Sequence, residues 1–142
     1  MATLQLLRSM LNVDSIAETI AFYEGKLGFR CIGTWGEDAD KPTWCQMQRD
    51  DVRLMFTHSE PHTHDDGEVH VDEPALGGSL YINVDDTDAL FEEFKPTIEG
   101  FEWEPQTFPH GMREFALRDC NGFLLVFGQE APAEGEEDAD GE

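Results

Sequence analysis

Positive charge is what this sequence has least of. Lysine occurs only at Lys26, Lys41 and Lys95, and all basic side chains together number 9 against 31 acidic ones, a formal charge of −22. Such an excess of acid opposes binding to nucleic acid or to anionic membrane, since both present negative charge to the protein. It suits either a cationic ligand or a halophilic cytoplasm in which acidic, lysine-poor surfaces stay soluble, and the scarcity of lysine favours the second. Cysteine is scarce too. Cys31, Cys45 and Cys120 are odd in number and lack CxxC or Cys/His spacing, which speaks against a disulfide framework or structural zinc and for reduced thiols. Missing as well are any run of about eighteen apolar residues and a basic-then-apolar leader, so neither a membrane span nor a signal peptide is expected and the cytoplasm is the expected compartment.

What the chain has instead is an internal repeat. Asn12-Val13-Asp14, an amphipathic stretch and Leu27-Gly28-Phe29 are answered about seventy-one residues later by Asn83-Val84-Asp85, an amphipathic stretch and Glu99-Gly100-Phe101. Arg49-Asp50-Asp51-Val52-Arg53-Leu54-Met55-Phe56 is likewise answered by Arg118-Asp119-Cys120-Asn121-Gly122-Phe123-Leu124-Leu125-Val126-Phe127. Two copies of one unit let equivalent positions be compared within a single sequence.

Each copy reads as β-α-β-β-β. In the first, Leu4–Val13 is strand-like, and Ser15 with Glu18 forms a capping box for a helix that buries Ile16, Ile20, Tyr23 and Leu27. Strand runs follow near Phe29–Trp35, Thr43–Arg49 and Val52–Thr57, with a tight turn at Asp50-Asp51. The second copy gives strand Ser79–Val84, helix Thr87–Phe94 behind Asp85 and Asp86, then strands near Phe101–Phe108, Met112–Arg118 and Phe123–Phe127, with a hairpin signal at Asn121-Gly122. The expected class is α+β, two tandem modules (about 4–57 and 79–129) forming a curved mixed sheet with a ligand cleft in one domain of residues 1–129. Residues 58–78 read as a flexible polar linker. Residues 130–142 carry seven acids and no base, an acidic tail of disordered composition that leaves −15 on the body.

A module with one helix leaves one sheet face uncovered, and strand alternation assigns the sides. Val52, Leu54, Phe56, Phe123, Leu125 and Phe127 should face the helices. Arg53, Met55, Thr57, Leu124 and Val126 should face the cleft, joined by Arg8, Met10, Ser79, Tyr81 and Asn83 from the two opening strands.

The paired modules, Phe22-Tyr23 with Leu27-Gly28-Phe29, and the run Gly111-Met112-Arg113-Glu114-Phe115-Ala116-Leu117-Arg118-Asp119 before Asn121-Gly122 resemble the vicinal oxygen chelate superfamily. That group includes glyoxalase I, extradiol dioxygenases, fosfomycin-inactivating transferases and bleomycin resistance proteins, and the bleomycin resistance proteins are the most similar. The resemblance implies four metal positions, one on the opening and one on the closing strand of each module, which fall on Arg8, Met55, Ser79 and Val126. None is a ligand suited to a divalent ion. Arg8 about 4 Å from such an ion would meet repulsion of about 8 kcal/mol at an effective dielectric of 20. No metal and no cofactor are expected.

The remaining candidates for chemistry are weak. His58, His62, His64 and His70 with their acidic neighbours read as a solvated loop, because a loop supplies ligands without a rigid frame. His110 reads as a rim residue, and Cys45 and Cys120 lack a neighbouring base. Glu114 borders the cleft, where an ion pair with Arg113 or a dimer contact competes with acid–base chemistry. The resemblance therefore implies a metal-free small-molecule-binding protein that sequesters an antibiotic or other planar ligand and acts as a homodimer. Trp44 and Tyr81 would be flat platforms, Met55 and Val126 packing, and Arg8, Ser79 and Glu114 polar anchors; Trp44 reads equally well as core. Two alternatives stand beside this: a metal-dependent lyase or dioxygenase with substitute ligands, and a structural dimer without a ligand.

Overall fold

The computed structural model describes residues 1–58, 62–63, 69–70 and 79–131. In chain order they form β1 (Ser9–Asn12), α1 (Ile16–Lys26), β2 (Arg30–Trp35), β3 (Trp44–Arg49), β4 (Val52–Thr57), β5 (His62–Thr63), β6 (Val69–His70), β7 (Ser79–Asn83), α2 (Thr87–Phe94), β8 (Trp103–Thr107), β9 (Met112–Arg118) and β10 (Leu124–Glu130). The chain divides into two compact units, residues 1–77 with the turn 119–123, and residues 78–118 with 124–142.

The repeat is realised strand by strand. One four-stranded sheet has the order β1-β4-β3-β2 and the other β7-β10-β9-β8. In each, the opening strand runs parallel to the closing one and the other pairs are antiparallel. Register repeats as well: Leu11 pairs with Phe56, and Ile82 with Phe127, each partner displaced by 71 positions. Both third-position pairs carry a bulge on their outer strand, between Cys31 and Gly33 and between Trp103 and Gln106.

Local chemistry sets the helices. Ser15 caps α1 by accepting the Glu18 N–H at 3.1 Å, and Asp86 caps α2 by accepting the Ala89 N–H at 3.0 Å. Gly28, with φ 77°, turns the chain out of α1, and the Phe29 N–H donates back to the Tyr23 carbonyl at 3.0 Å. The buried face of α1 carries Ile16, Thr19 and Tyr23, with Leu27 behind them. Thr19 takes the place expected for Ile20 because its hydroxyl donates to the Ser15 carbonyl at 2.8 Å, which satisfies a polar group out of water.

The two cores differ in kind. In the first unit Tyr23, Phe29 and Phe56 pack with Leu54, Cys45 and Met47. The Tyr23 hydroxyl donates to Asp119 at 2.6 Å, and the same carboxylate accepts the N–H groups of Asn121 and Phe123 at 2.8 and 2.9 Å. Burial, then the adjacent Asp119 charge, pushes the Tyr23 phenol well above its ordinary range; burial also raises Asp119 despite the donors it holds. In the second unit Phe91, Phe94, Phe101, Phe115 and Phe127 form one ring cluster, with Phe115 stacked on Phe127 at 5.2 Å between centroids.

Several expectations change. The first strand begins at Ser9 rather than Leu4, so Arg8 lies outside it and is exposed. The last strand runs to Glu130, one residue into the presumed tail, whose residues 132–142 lie outside the described ones. The 58–78 linker is not wholly without structure: His58 Nδ1 lies 3.0 Å from the Val13 carbonyl, and β5 pairs with β6. His64 lies outside the described residues. All three thiols are free. Among the described residues no helix is long and apolar enough to cross a membrane.

Candidate functional site

In each unit the sheet face turned away from its helix gathers the residues singled out in the sequence. In the second unit these are Ser79, Tyr81 and Val126, with Glu114 on β9. Phe115 and Leu117 are wholly buried on the helix side, so Glu114 and Ala116 must point the other way. Val126 sits opposite both Tyr81 and Ala116, and Gly128 sits opposite both Asn83 and Glu114. The phenol of Tyr81 crosses β10 over Gly128 and donates to Glu114 Oε2 at 2.7 Å. A Cβ at Gly128 would overlap the Tyr81 oxygen and come within 3.1 Å of Glu114 Cβ, so this crossing requires glycine there.

The pair is poised between protein and solvent. Glu114 is 5% exposed whereas Tyr81 is 43% exposed. Partial burial, then the hydrogen bond and charge of Glu114, push the Tyr81 phenol up to about 12. His110 Nε2 stands 3.6 Å from the same carboxylate oxygen and forms an ion pair with it when protonated. His110 also continues a row of edge-to-face rings through Phe108 to Trp103, which lies opposite Ala116. A nearly buried carboxylate beside aromatic rings can hold an N–H group or a cation from a ligand.

Glu114 does not pair with Arg113, contrary to one expectation. Neighbours on a strand face opposite sides, and Arg113 instead makes a two-pronged contact with Asp88 at 2.9 and 3.0 Å. Val126, expected as packing, is buried.

The first unit presents a different surface. Cys45 and Met47 are wholly buried against α1, which settles the phase of β3 and turns Trp44 and Gln46 to the other face. Trp44 is therefore not a core residue of the helix side. Met55 shares this face between Met10 and Gln46, its partners on either side. Arg8 precedes the strand and is exposed.

Donor chemistry at the four positions that the resemblance implies for a metal can be compared unit by unit. The register makes Met55 and Val126 equivalent, and counting back along the opening strands makes Arg8 equivalent to Ser79. The first pair offers a guanidinium and a thioether, the second a hydroxyl and an alkyl group. Neither suits a divalent ion that needs imidazole or carboxylate. Among the described residues, no group of three or more His, Cys, Asp or Glu is arranged to hold a metal.

Sequence reasoning passed over Asp119, Gly128, Gln46 and Trp103. A signal existed for Gly128, since a glycine inside a strand often marks a close approach. The other three are recognisable only once strand phase and turn contacts are known.

No curated protein sequence matches the chain. Among solved structures, TioX from Micromonospora sp. ML1 superposes with a TM-score of 0.69 at 17% identity, over 89% of this chain and 98% of that one. The bleomycin-binding protein of bleomycin-producing Streptomyces verticillus, complexed with copper(II)-bleomycin, gives 0.61 at 24% identity over 93% and 99%. Lactoylglutathione lyase from Agrobacterium tumefaciens gives 0.64 at 17% identity over 88% and 92%. These likenesses establish the fold, and a family model matches residues 5–127, nearly the whole described chain. With its two β-α-β-β-β units in matching register, the chain belongs to the Glyoxalase/Bleomycin resistance protein/Dioxygenase superfamily.

Proposed function

We propose that the protein is a metal-free binder of small molecules, one that sequesters a planar ligand, such as an antibiotic, and leaves it unchanged. The supporting observation is the substitution at the equivalent positions of the repeat: Arg8 and Met55 in one unit, Ser79 and Val126 in the other, none a suitable ligand for a divalent ion. A lyase reading, as for the Agrobacterium neighbour, needs such an ion or some replacement for it. A binding reading, as for the Streptomyces neighbour, needs only a shaped face with anchors, and Tyr81 with Glu114 supplies one. The formal charge of −22 would draw cationic ligands toward the protein over long range. In this reading the protein works as a cytoplasmic homodimer.

The test combines metal analysis with thermal unfolding in a panel of planar ligands. The expected result is no stoichiometric divalent ion, together with a rise in Tm for at least one ligand. A ligand at a hundred times its Kd stabilises by about 2.7 kcal/mol. Tyr81→Phe and Glu114→Ala should diminish that rise. A stoichiometric ion that is lost in Ser79→Ala, or a Tm indifferent to every planar ligand, would overturn the proposal.

A further inference from the structure

Gln46 is placed where its amide oxygen lacks what it needs. It lies in the middle of β3, on the face of the first unit's sheet opposite α1, with Met55 beside it on β4 and Gly33 beside it on β2. Its Oε1 is shut off from water and has no hydrogen-bond partner. A buried acceptor of this kind is uncommon in folded proteins and calls for a donor. The β3 and β4 backbones beside it run in an unbroken ladder, which occupies their N–H groups.

Its direct neighbours are flat or apolar, while Arg30 and Arg53 stand one row away, on either side of Gln48. The indole of Trp44 lies over Gly33, with Cζ3 at 3.6 Å from where a Cβ would stand, so the missing side chain leaves the bed on which the ring rests. Trp35 is the direct partner of Trp44 on the neighbouring strand and shares its face, yet it is 63% exposed. On the other side of Gln46, Met55 pairs with Met10, which is 54% exposed. Exposed indole and thioether groups on one face are an apolar surface that adapts to an aromatic partner.

We propose that this face is a second recognition element, which takes a planar heteroaromatic molecule, packs it against Trp35, Trp44 and the two methionines, and receives an edge N–H at Gln46 Oε1. Small shifts of the long methionine and tryptophan side chains admit the ligand edge to the oxygen. Rings select for planarity here, and the amide selects for a donor at one edge. The inference rests on the reading that the protein binds small molecules, but on residues separate from Tyr81 and Glu114.

Indole and benzothiophene test it. They are neutral, planar and nearly the same size, and only indole has an N–H. Isothermal titration calorimetry on the full chain should show indole binding about two- to tenfold more tightly than benzothiophene, the range a single net hydrogen bond provides. Gln46→Leu, which keeps the bulk and removes the acceptor, should abolish that preference while leaving benzothiophene affinity within about twofold. Gln46→Glu retains acceptor oxygens and should keep the preference, which guards against a folding defect in the leucine variant. Equal affinities in the wild type mean that solvent already satisfies the oxygen, and they overturn the proposal. So does a preference that survives in Gln46→Leu, or the failure of both probes to bind. A ligand that depends on Tyr81 and Glu114 but ignores Gln46 overturns this inference alone, whereas a tightly held divalent ion counts against the metal-free reading alone.

Discussion

Equivalent positions of the two units hold different chemistry on one frame. Cys45 in the first unit occupies the place of Phe115 in the second, since their partners Phe56 and Phe127 correspond. Trp44 stands for Glu114, Met10 for Tyr81, and Gln46 for Ala116 by the same pairing. Strand order and register are thus indifferent to these exchanges. What the frame demands is apolar volume toward each helix and a glycine or cap at each turn; the opposite face is open to variation. Each unit also contains one tyrosine bound to one carboxylate. In the first it is sealed inside, Tyr23 with Asp119, and in the second it lies on the open face, Tyr81 with Glu114.

The largest contrast should come from the core. Phe115 touches Phe91, Phe94, Phe101 and Phe127, so Phe115→Ala removes a ring from the centre of a cluster. A loss of about 3–5 kcal/mol is expected. The equivalent Cys45→Ala deletes one sulfur atom and should cost about 1 kcal/mol. Urea unfolding monitored by circular dichroism would measure both. Similar losses would mean that the second unit does not depend on its phenylalanine cluster in the way the ring contacts imply.

Next come the two tyrosines. Tyr23→Phe leaves a buried carboxylate without one of its donors and should cost about 2 kcal/mol. Tyr81→Phe removes a partly solvated bond and should cost under about 1 kcal/mol. The pH dependence separates them further. Both phenols are raised above the ordinary value of 10.0, so the folded chain holds protons that the unfolded chain releases. Their contribution is therefore complete below about pH 10 and is lost as pH rises through the folded values. Chemical denaturation across that alkaline range should show a falling stability that flattens in Tyr23→Phe. An unchanged alkaline limb in that variant would remove Tyr23 as its source.

Most of this frame could be read from residue patterns, because its causes are local. Ser15, Asp86, Gly28 and Asn121-Gly122 act within a few residues of themselves, and the alternation through Val52–Thr57 and Met112–Arg118 places the strands to the residue. The opening strand is shorter than its apolar run: its pairing stops at Ser9, opposite Leu54, although β4 continues to Val52. Trp44 was ambiguous for a similar reason, since the phase of β3 depends on Cys45 and Met47 both finding the core. Asp119 accepts the Gly122 N–H that closes its turn, and its carboxylate also reaches Tyr23, 96 positions away. Nothing local announces such a contact. The open-face residues were located by alternation, while the bond between Tyr81 and Glu114 needed the glycine between them.

That glycine provides the finest comparison. Gly33 and Gly128 both lie within strands beneath an aromatic ring, but a Cβ at Gly33 meets Trp44 at an ordinary 3.6 Å, whereas one at Gly128 collides with Tyr81. Gly33→Ala should be tolerated. Gly128→Ala should displace the phenol from Glu114, with a change in stability under about 1 kcal/mol because alanine also restrains the unfolded chain. The chain has only two tyrosines, so ultraviolet titration of the phenolate resolves them. In the wild type and in Gly33→Ala both should ionise above the ordinary value of 10.0, whereas in Gly128→Ala one should return toward it. If Gly128→Ala titrates like the wild type, the phenol does not need that gap, and neither its partial burial there nor the bond to Glu114 is what raises it.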